Sequence, residues 1–149
     1  MLDPFYPVVP DSSWVARLVP IGTKLIQLRI KEQPDTEIRR QLGEAKAVCA
    51  AHGAQLIVND HWQAAIDEGC DYIHLGQEDL VDADVKALRR AGVRIGVSTH
   101  DHGELEAGLK IDPDYVALGP IYPTKLKQMP WAPQGPARLG EWKKLVGDR

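Results

Sequence analysis

Several things are scarce in this 149-residue chain, and each scarcity excludes a class of protein. There are two cysteines, Cys49 and Cys70, too far apart for a CxxC metal or redox pair, and both stand among apolar neighbours as reduced core thiols. No basic surplus exists: Lys and Arg number 18 against 21 Asp and Glu, a net charge of -3, so a general nucleic-acid binder lacks the face needed to neutralise phosphates. No apolar run approaches the ~20 residues of a membrane span. The opening MLDPFYPVVPDSS has no basic segment followed by an apolar one, so a soluble cytoplasmic protein without membrane or nucleic-acid partners is expected. No GxGxxG follows the first apolar run, and Ser98 has no evident His–Asp relay of the hydrolase kind.

What is present is a strand-helix alternation. The stretch from Leu56 to Leu80 holds two short apolar runs, Leu56–Val58 and Tyr72–Leu75, each stopped by polar groups, Asn59-Asp60 and Gln77-Glu78-Asp79. His61–Glu68 between them reads as a helix closed by Gly69. Such a crossover makes the two strands parallel and sends Asp60 and Asp79 off the same sheet edge, close enough to share a cation.

The pattern recurs in both directions. Gly53–Asn59 parallels Gly92–Ser98, and Asp71–Gly76 parallels Asp114–Gly119. Six strands are expected: Phe5–Val9, Leu25–Arg29, Leu56–Val58, Tyr72–Leu75, Arg94–Val97 and Tyr115–Leu118. Helices are expected at Trp14–Val19, from Pro34-Asp35-Thr36 to His52-Gly53, and over Asp82–Ala91 and Gly103–Lys110. Trp14, Trp62 and Trp142 read as packing residues, and His74, inside an apolar strand, as a hydrogen-bonded core histidine.

Strict alternation with polar groups at nearly every strand end favours an α/β fold of the (β/α)8 TIM-barrel type over an open doubly wound sheet. About six strand-helix units are present, so one incomplete barrel domain over residues 1–149 is expected, with strands seven and eight missing or a homo-oligomeric partner completing it. Residues 119–136 form a proline-rich stretch without period, expected to be an active-site lid because Trp131 and Met129 sit beside Lys125 and Lys127.

The strand ends gather Gln27, Arg29, Lys31, Asn59, Asp60, Gln77, Asp79, Ser98, His100, Thr124, Lys125 and Lys127 on one rim. Asp60 and Asp79 are the hard oxygen ligands that Mg²⁺ takes together with substrate phosphate, and Arg29, Lys31 and Lys127 suit outer phosphate oxygens. The competing roles are ordinary ones. Each Asp could cap the helix that follows, Arg29 and Lys31 could be a solvated face, and His100 with His102 could be loop polar groups or an HxH metal pair.

QLRIK (27–31), IVND (57–60), HLGQEDL (74–80), GVSTH (96–100) and GPIYPT followed by Lys127 closely resemble, in order and spacing, the thiamine-phosphate synthase family. The resemblance implies a TIM barrel that joins hydroxymethylpyrimidine diphosphate to hydroxyethylthiazole phosphate and releases diphosphate. It further implies that Gln27, Arg29, Lys31 and Asn59 contact the pyrimidine diphosphate, that Asp60 and Asp79 hold Mg²⁺, and that Ser98 and Lys127 are the catalytic contacts to the departing diphosphate. Thr124 resembles the first threonine of a Thr-x-Thr-Lys motif that touches thiazole phosphate, while Leu126 replaces its second. The related thiazole tautomerase is the alternative activity, less suited to paired carboxylates with Gln27, Arg29 and Lys127. A truncated remnant that binds phosphate ligands without turnover is the third reading.

Overall fold

The computed structural model describes residues 2–124 and 130–147. Strand and helix alternate as β1 (Val8–Val9), α1 (Ser12–Leu18), β2 (Leu25–Leu28), α2 (Asp35–His52), β3 (Gln55–Asn59), α3 (Trp62–Asp67), β4 (Tyr72–Leu75), α4 (Gln77–Asp82), α5 (Val85–Arg90), β5 (Arg94–Thr99), α6 (His102–Leu109), β6 (Tyr115–Leu118) and α7 (Ala137–Val146). All six expected strands are there, and the alternation with parallel pairing is that of the α/β class. The first strand is shorter than expected, because Pro7 has no N–H for the ladder and contributes only its carbonyl, which accepts from Gln27 N at 2.9 Å.

The chain divides into two compact units, Met1–His74 with Ala83–Arg94, and Leu75–Asp82 with Ile95–Arg149. In the first unit β1, β2, β3 and β4 lie side by side in that order, all parallel. The register pairs Val8 with Gln27, Leu28 with Val58, and Asn59 with His74. β2 is buried along its whole length, as a parallel strand covered on both faces must be. The long helix α2 turns Ile38, Leu42, Ala45 and Cys49 inward at helical spacing and ends at Gly53, whose φ of 64° is the left-handed turn that a Cβ would strain. Cys49 and Cys70 are free and buried, and burial pushes both thiols up to about 11. Trp14 departs from its expected packing role: it is exposed, with the Arg17 guanidinium 4.7 Å over its ring, while Val15 fills the core in its place.

In the second unit β5 and β6 pair in parallel, Gly96 facing Tyr115 and Thr99 facing Leu118. Gly96 is obligatory there, since a Cβ would fall inside the Tyr115 ring. Helix α7 seats Trp142 and Val146 against Leu105, with Leu109, Val116 and Leu118 around them. Trp142 Nε1–H donates to Thr99 Oγ1 at 2.9 Å, and that hydroxyl donates to the Ala117 carbonyl at 2.9 Å. The helix expected over Asp82–Ala91 is α5, which starts later, at Val85, and belongs to the first unit; the helix α4 before it was not expected. Asp84 caps α5 by accepting from Ala87 N at 2.8 Å, and the acidic Gln77–Asp82 segment coils separately with Glu78 and Asp79 in its first turn, where helix N–H groups favour negative charge. No helix among the described residues is long and apolar enough to cross a membrane.

Candidate active site

In the first unit the polar groups come from the ends of β2 and β3. Continuing the β2–β3 register one step past Leu28 and Val58 sets Arg29 beside Asn59, and alternation puts Gln27 on the same face as Arg29. Gln27 is 5% exposed, and its Nε2 donates to the Tyr6 hydroxyl at 2.7 Å. Tyr6 was legible only as an apolar residue of the first strand; its position two before Val8, which faces Gln27, is the signal that places it here. Arg29 is half-buried, and among the described residues no carboxylate pairs with its guanidinium.

Asn59 is also 5% exposed, and its Nδ2 has no hydrogen-bond partner among the described residues. Asp60 follows in the left-handed region at φ 65°, its N–H donating to the His74 carbonyl at 3.0 Å. Its carboxylate pairs with Lys31 Nζ, the aspartate side chain 13% exposed and the lysine 46%. The capping role for Asp60 is not what the structure has, because the residue at the α3 N-terminus is His61 and no side chain caps that helix. His61 instead donates from Nε2 to the Ile30 carbonyl at 2.9 Å, tying the end of β2 to the end of β3. His74 is buried, and its backbone carbonyl accepts from Asp60 N.

In the second unit a cavity of about 270 Å³ is lined by Gln77, Asp79, Ser98, His100, Glu104 and Trp131 among others. Gly76 makes room for Asp79: a Cβ there would stand 2.9 Å from Asp79 Oδ2, so the carboxylate folds back on the glycine backbone. Gln77 Nε2 donates to the Ser98 carbonyl at 2.6 Å and holds the strand end that carries the Ser98 hydroxyl. The two described ends of the 119–136 loop clasp each other, Gln134 Nε2 donating to the Gly119 carbonyl at 2.6 Å and Gly135 N to the Ile121 carbonyl at 3.0 Å. Thr124 is exposed on that loop, and Lys127, with Lys125, Leu126 and Met129, lies outside the described residues.

His100 and His102 do not form a metal pair. His100 Nδ1 is bonded to Glu104, whereas His102 Nε2 meets Glu141 at 2.8 Å and its Nδ1 accepts from Arg138 at 3.3 Å. Among the described residues no group of three or more His, Cys, Asp or Glu gathers as a metal site. Asp60 and Asp79 are each the kind of oxygen donor Mg²⁺ takes one or two at a time beside substrate phosphate, so the donor chemistry suits that ion and not a protein-caged metal.

The thiamine monophosphate synthase family model matches residues 6–147. The chain is 60% identical over 146 residues to a thiamine-phosphate synthase of Rhizobium etli, covering 98% of this chain and 72% of that one. It is 48% identical over 143 residues to the thiamine-phosphate synthase of Cronobacter sakazakii, covering 96% of this chain and 68% of that one. Among solved structures, a thiamine phosphate pyrophosphorylase from Pyrococcus furiosus matches with a TM-score of 0.69 at 20% identity, over 95% of this chain and 80% of that one, a likeness of fold. On the family match and the identities together, the chain belongs to the thiamine monophosphate synthase family.

Proposed function

We propose that the chain is a cytoplasmic transferase that couples hydroxymethylpyrimidine diphosphate with hydroxyethylthiazole phosphate to give thiamine phosphate and diphosphate. One observation carries the substrate-binding half of this reading: the Asn59 amide, buried beside Arg29, whose Nδ2 has no partner within the described protein. A buried donor left unpaired costs roughly 1–3 kcal/mol, a cost relieved when a ligand supplies the acceptor. A pyrimidine ring nitrogen or a phosphoryl oxygen is such an acceptor, and the Arg29 guanidinium suits the diphosphate. Gln27, its Nε2 held by the Tyr6 hydroxyl, keeps its carboxamide oxygen as an acceptor that suits the amino group such a pyrimidine carries.

The chemistry asks little covalent work of the protein. The bond from the pyrimidine methylene carbon to the diphosphate oxygen breaks, its electron pair leaving with the diphosphate, and the thiazole nitrogen supplies the pair for the new C–N bond. The residues must hold two substrates in line, keep water from the methylene carbon and favour the growing negative charge. Asp60 and Asp79 would hold Mg²⁺, which supplies charge neutralisation at the leaving group. Lys31, now paired with Asp60, and Arg29 add fixed positive charge in the first unit, and Ser98 offers a hydroxyl in the second; Lys127 is assigned the diphosphate by the family motif.

A coupling assay on this chain with both substrates and Mg²⁺, following thiamine phosphate by fluorescence after oxidation, tests the reading. Product that disappears in Asn59→Ala and Lys127→Ala is expected. Turnover unchanged in both variants, or absent from the unmodified chain, overturns it.

A further inference from the structure

His100 stands at the end of β5, two residues beyond Ser98 and outside the set of residues that the family motifs assign. Four contacts hold it. Its backbone N–H donates to Glu104 Oε2 at 2.8 Å, and its ring Nδ1–H donates to the same oxygen at 2.7 Å. Its carbonyl accepts from Gln134 Nε2 at 2.8 Å, and its ring lies on Trp131 with centroids 4.0 Å apart and planes within 12°. A carboxylate oxygen only accepts, so Nδ1 carries the hydrogen and Nε2 is the nitrogen left over. Among the described residues nothing pairs with Nε2, although the His100 side chain is only 10% exposed. His100 lines the cavity that Ser98 also lines. An imidazole secured at its backbone, one nitrogen and one face, with the other nitrogen open beside a cavity, is built as a presented group.

We propose that His100 is a further substrate-contacting residue, its Nε2 hydrogen-bonded to a phosphoryl oxygen of the diphosphate, and that Glu104 and Trp131 are its positioning residues. The proposal rests on the diphosphate role given above to Ser98. The bond is that of the doubly protonated ring, Nδ1–H on Glu104 and Nε2–H, its proton taken from solvent as the diphosphate binds, donating to the phosphoryl oxygen in a charge-assisted bond. A metal ion at Nε2 is the poorer occupant, since among the described residues no three ligating side chains gather there. Trp131 covers one ring face and restricts rotation of the imidazole, which keeps Nε2 aimed without adding a charge.

The test titrates inorganic diphosphate with Mg²⁺, and separately the pyrimidine alcohol that lacks diphosphate, into the whole chain and its variants by calorimetry. His100→Asn keeps a donor to Glu104 and deletes Nε2; His100→Gln places an amide nitrogen near the Nε2 position. The expected result is diphosphate affinity about tenfold or more weaker in His100→Asn, largely recovered in His100→Gln, with alcohol affinity unchanged in both. Glu104→Gln and Trp131→Phe are expected to weaken diphosphate alone, by about threefold, as positioning residues should. Equal diphosphate affinity in the unmodified chain and His100→Asn overturns the proposal and leaves the functional reading standing. Parallel loss of both ligands without recovery in His100→Gln shows a structural role and overturns it as well. An unmodified chain that binds no diphosphate overturns both.

Discussion

Replacing Asn59 by Val separates stability from binding at a single atom. Asn59 is 5% exposed at the last position of β3, and its Nδ2 has no partner among the described residues. On unfolding, water satisfies that amide, so the folded state carries roughly 1–3 kcal/mol of uncompensated desolvation. Valine has similar volume, suits a strand and has no donor to satisfy, and removing the amide breaks no side-chain hydrogen bond among the described residues. Asn59→Val is therefore expected to be more stable by about 1–3 kcal/mol, which for a chain of this length corresponds to a rise in Tm of about 2–4 °C per kcal/mol. The same substitution deletes the ligand contact, so affinity for the pyrimidine diphosphate should fall about tenfold or more. Urea unfolding of the free protein gives the first quantity and ligand titration the second. A variant that is less stable by 1 kcal/mol or more would mean that the amide is satisfied in the free protein, removing the basis for its role. A stabilised variant that binds as tightly as before would mean that the open donor does not meet the ligand.

Thr99→Val should cost about 2 kcal/mol in urea unfolding, since it leaves both the Trp142 indole N–H and the Ala117 carbonyl without their shared hydroxyl partner, while Thr99→Ser keeps most of that stability. An equal loss in both variants would assign the effect to packing of the methyl group. The half-buried Glu37 carboxyl is held down to about 2 by its hydrogen bond from Arg40, then by Gln41. Because its folded value lies below the ordinary 4.5, its contribution to stability is complete above 4.5 and lost as pH falls through about 2; an NMR titration of the Glu37 side chain with a midpoint near 4.5 would refute this. The Cys49 and Cys70 thiols, buried and raised to about 11, should react with an aromatic disulfide reagent only after denaturant is added, and rapid labelling of the native chain would show that their cover opens.

The sequence by itself determined the order and kind of most elements, because period, punctuation and strand propensity are local properties. The short strand runs before Asn59, Gly76 and Ser98, the inward stripe of α2 and the left-handed Gly53 can all be read within a few residues of themselves. The same locality explains the misreadings. The helix Gln77–Asp82 was not expected because it is too short to show a helical period, and Trp14 looked like core because a helical face does not say which of its neighbours meets another layer. The candidate residues at the strand ends were legible through the family motifs, and composition or spacing alone left Asp60 and Asp79 open to a capping role. Tertiary structure decided the rest. It placed Asp60 in a left-handed backbone against Lys31, joined Tyr6 to Gln27, left Nδ2 of Asn59 unpaired within the described chain, and brought Glu104, Trp131 and Gln134 around His100. Each of those depends on segments far apart in sequence meeting at one point, and hydrogen-bond satisfaction at that point is a property of the meeting, which no local pattern encodes.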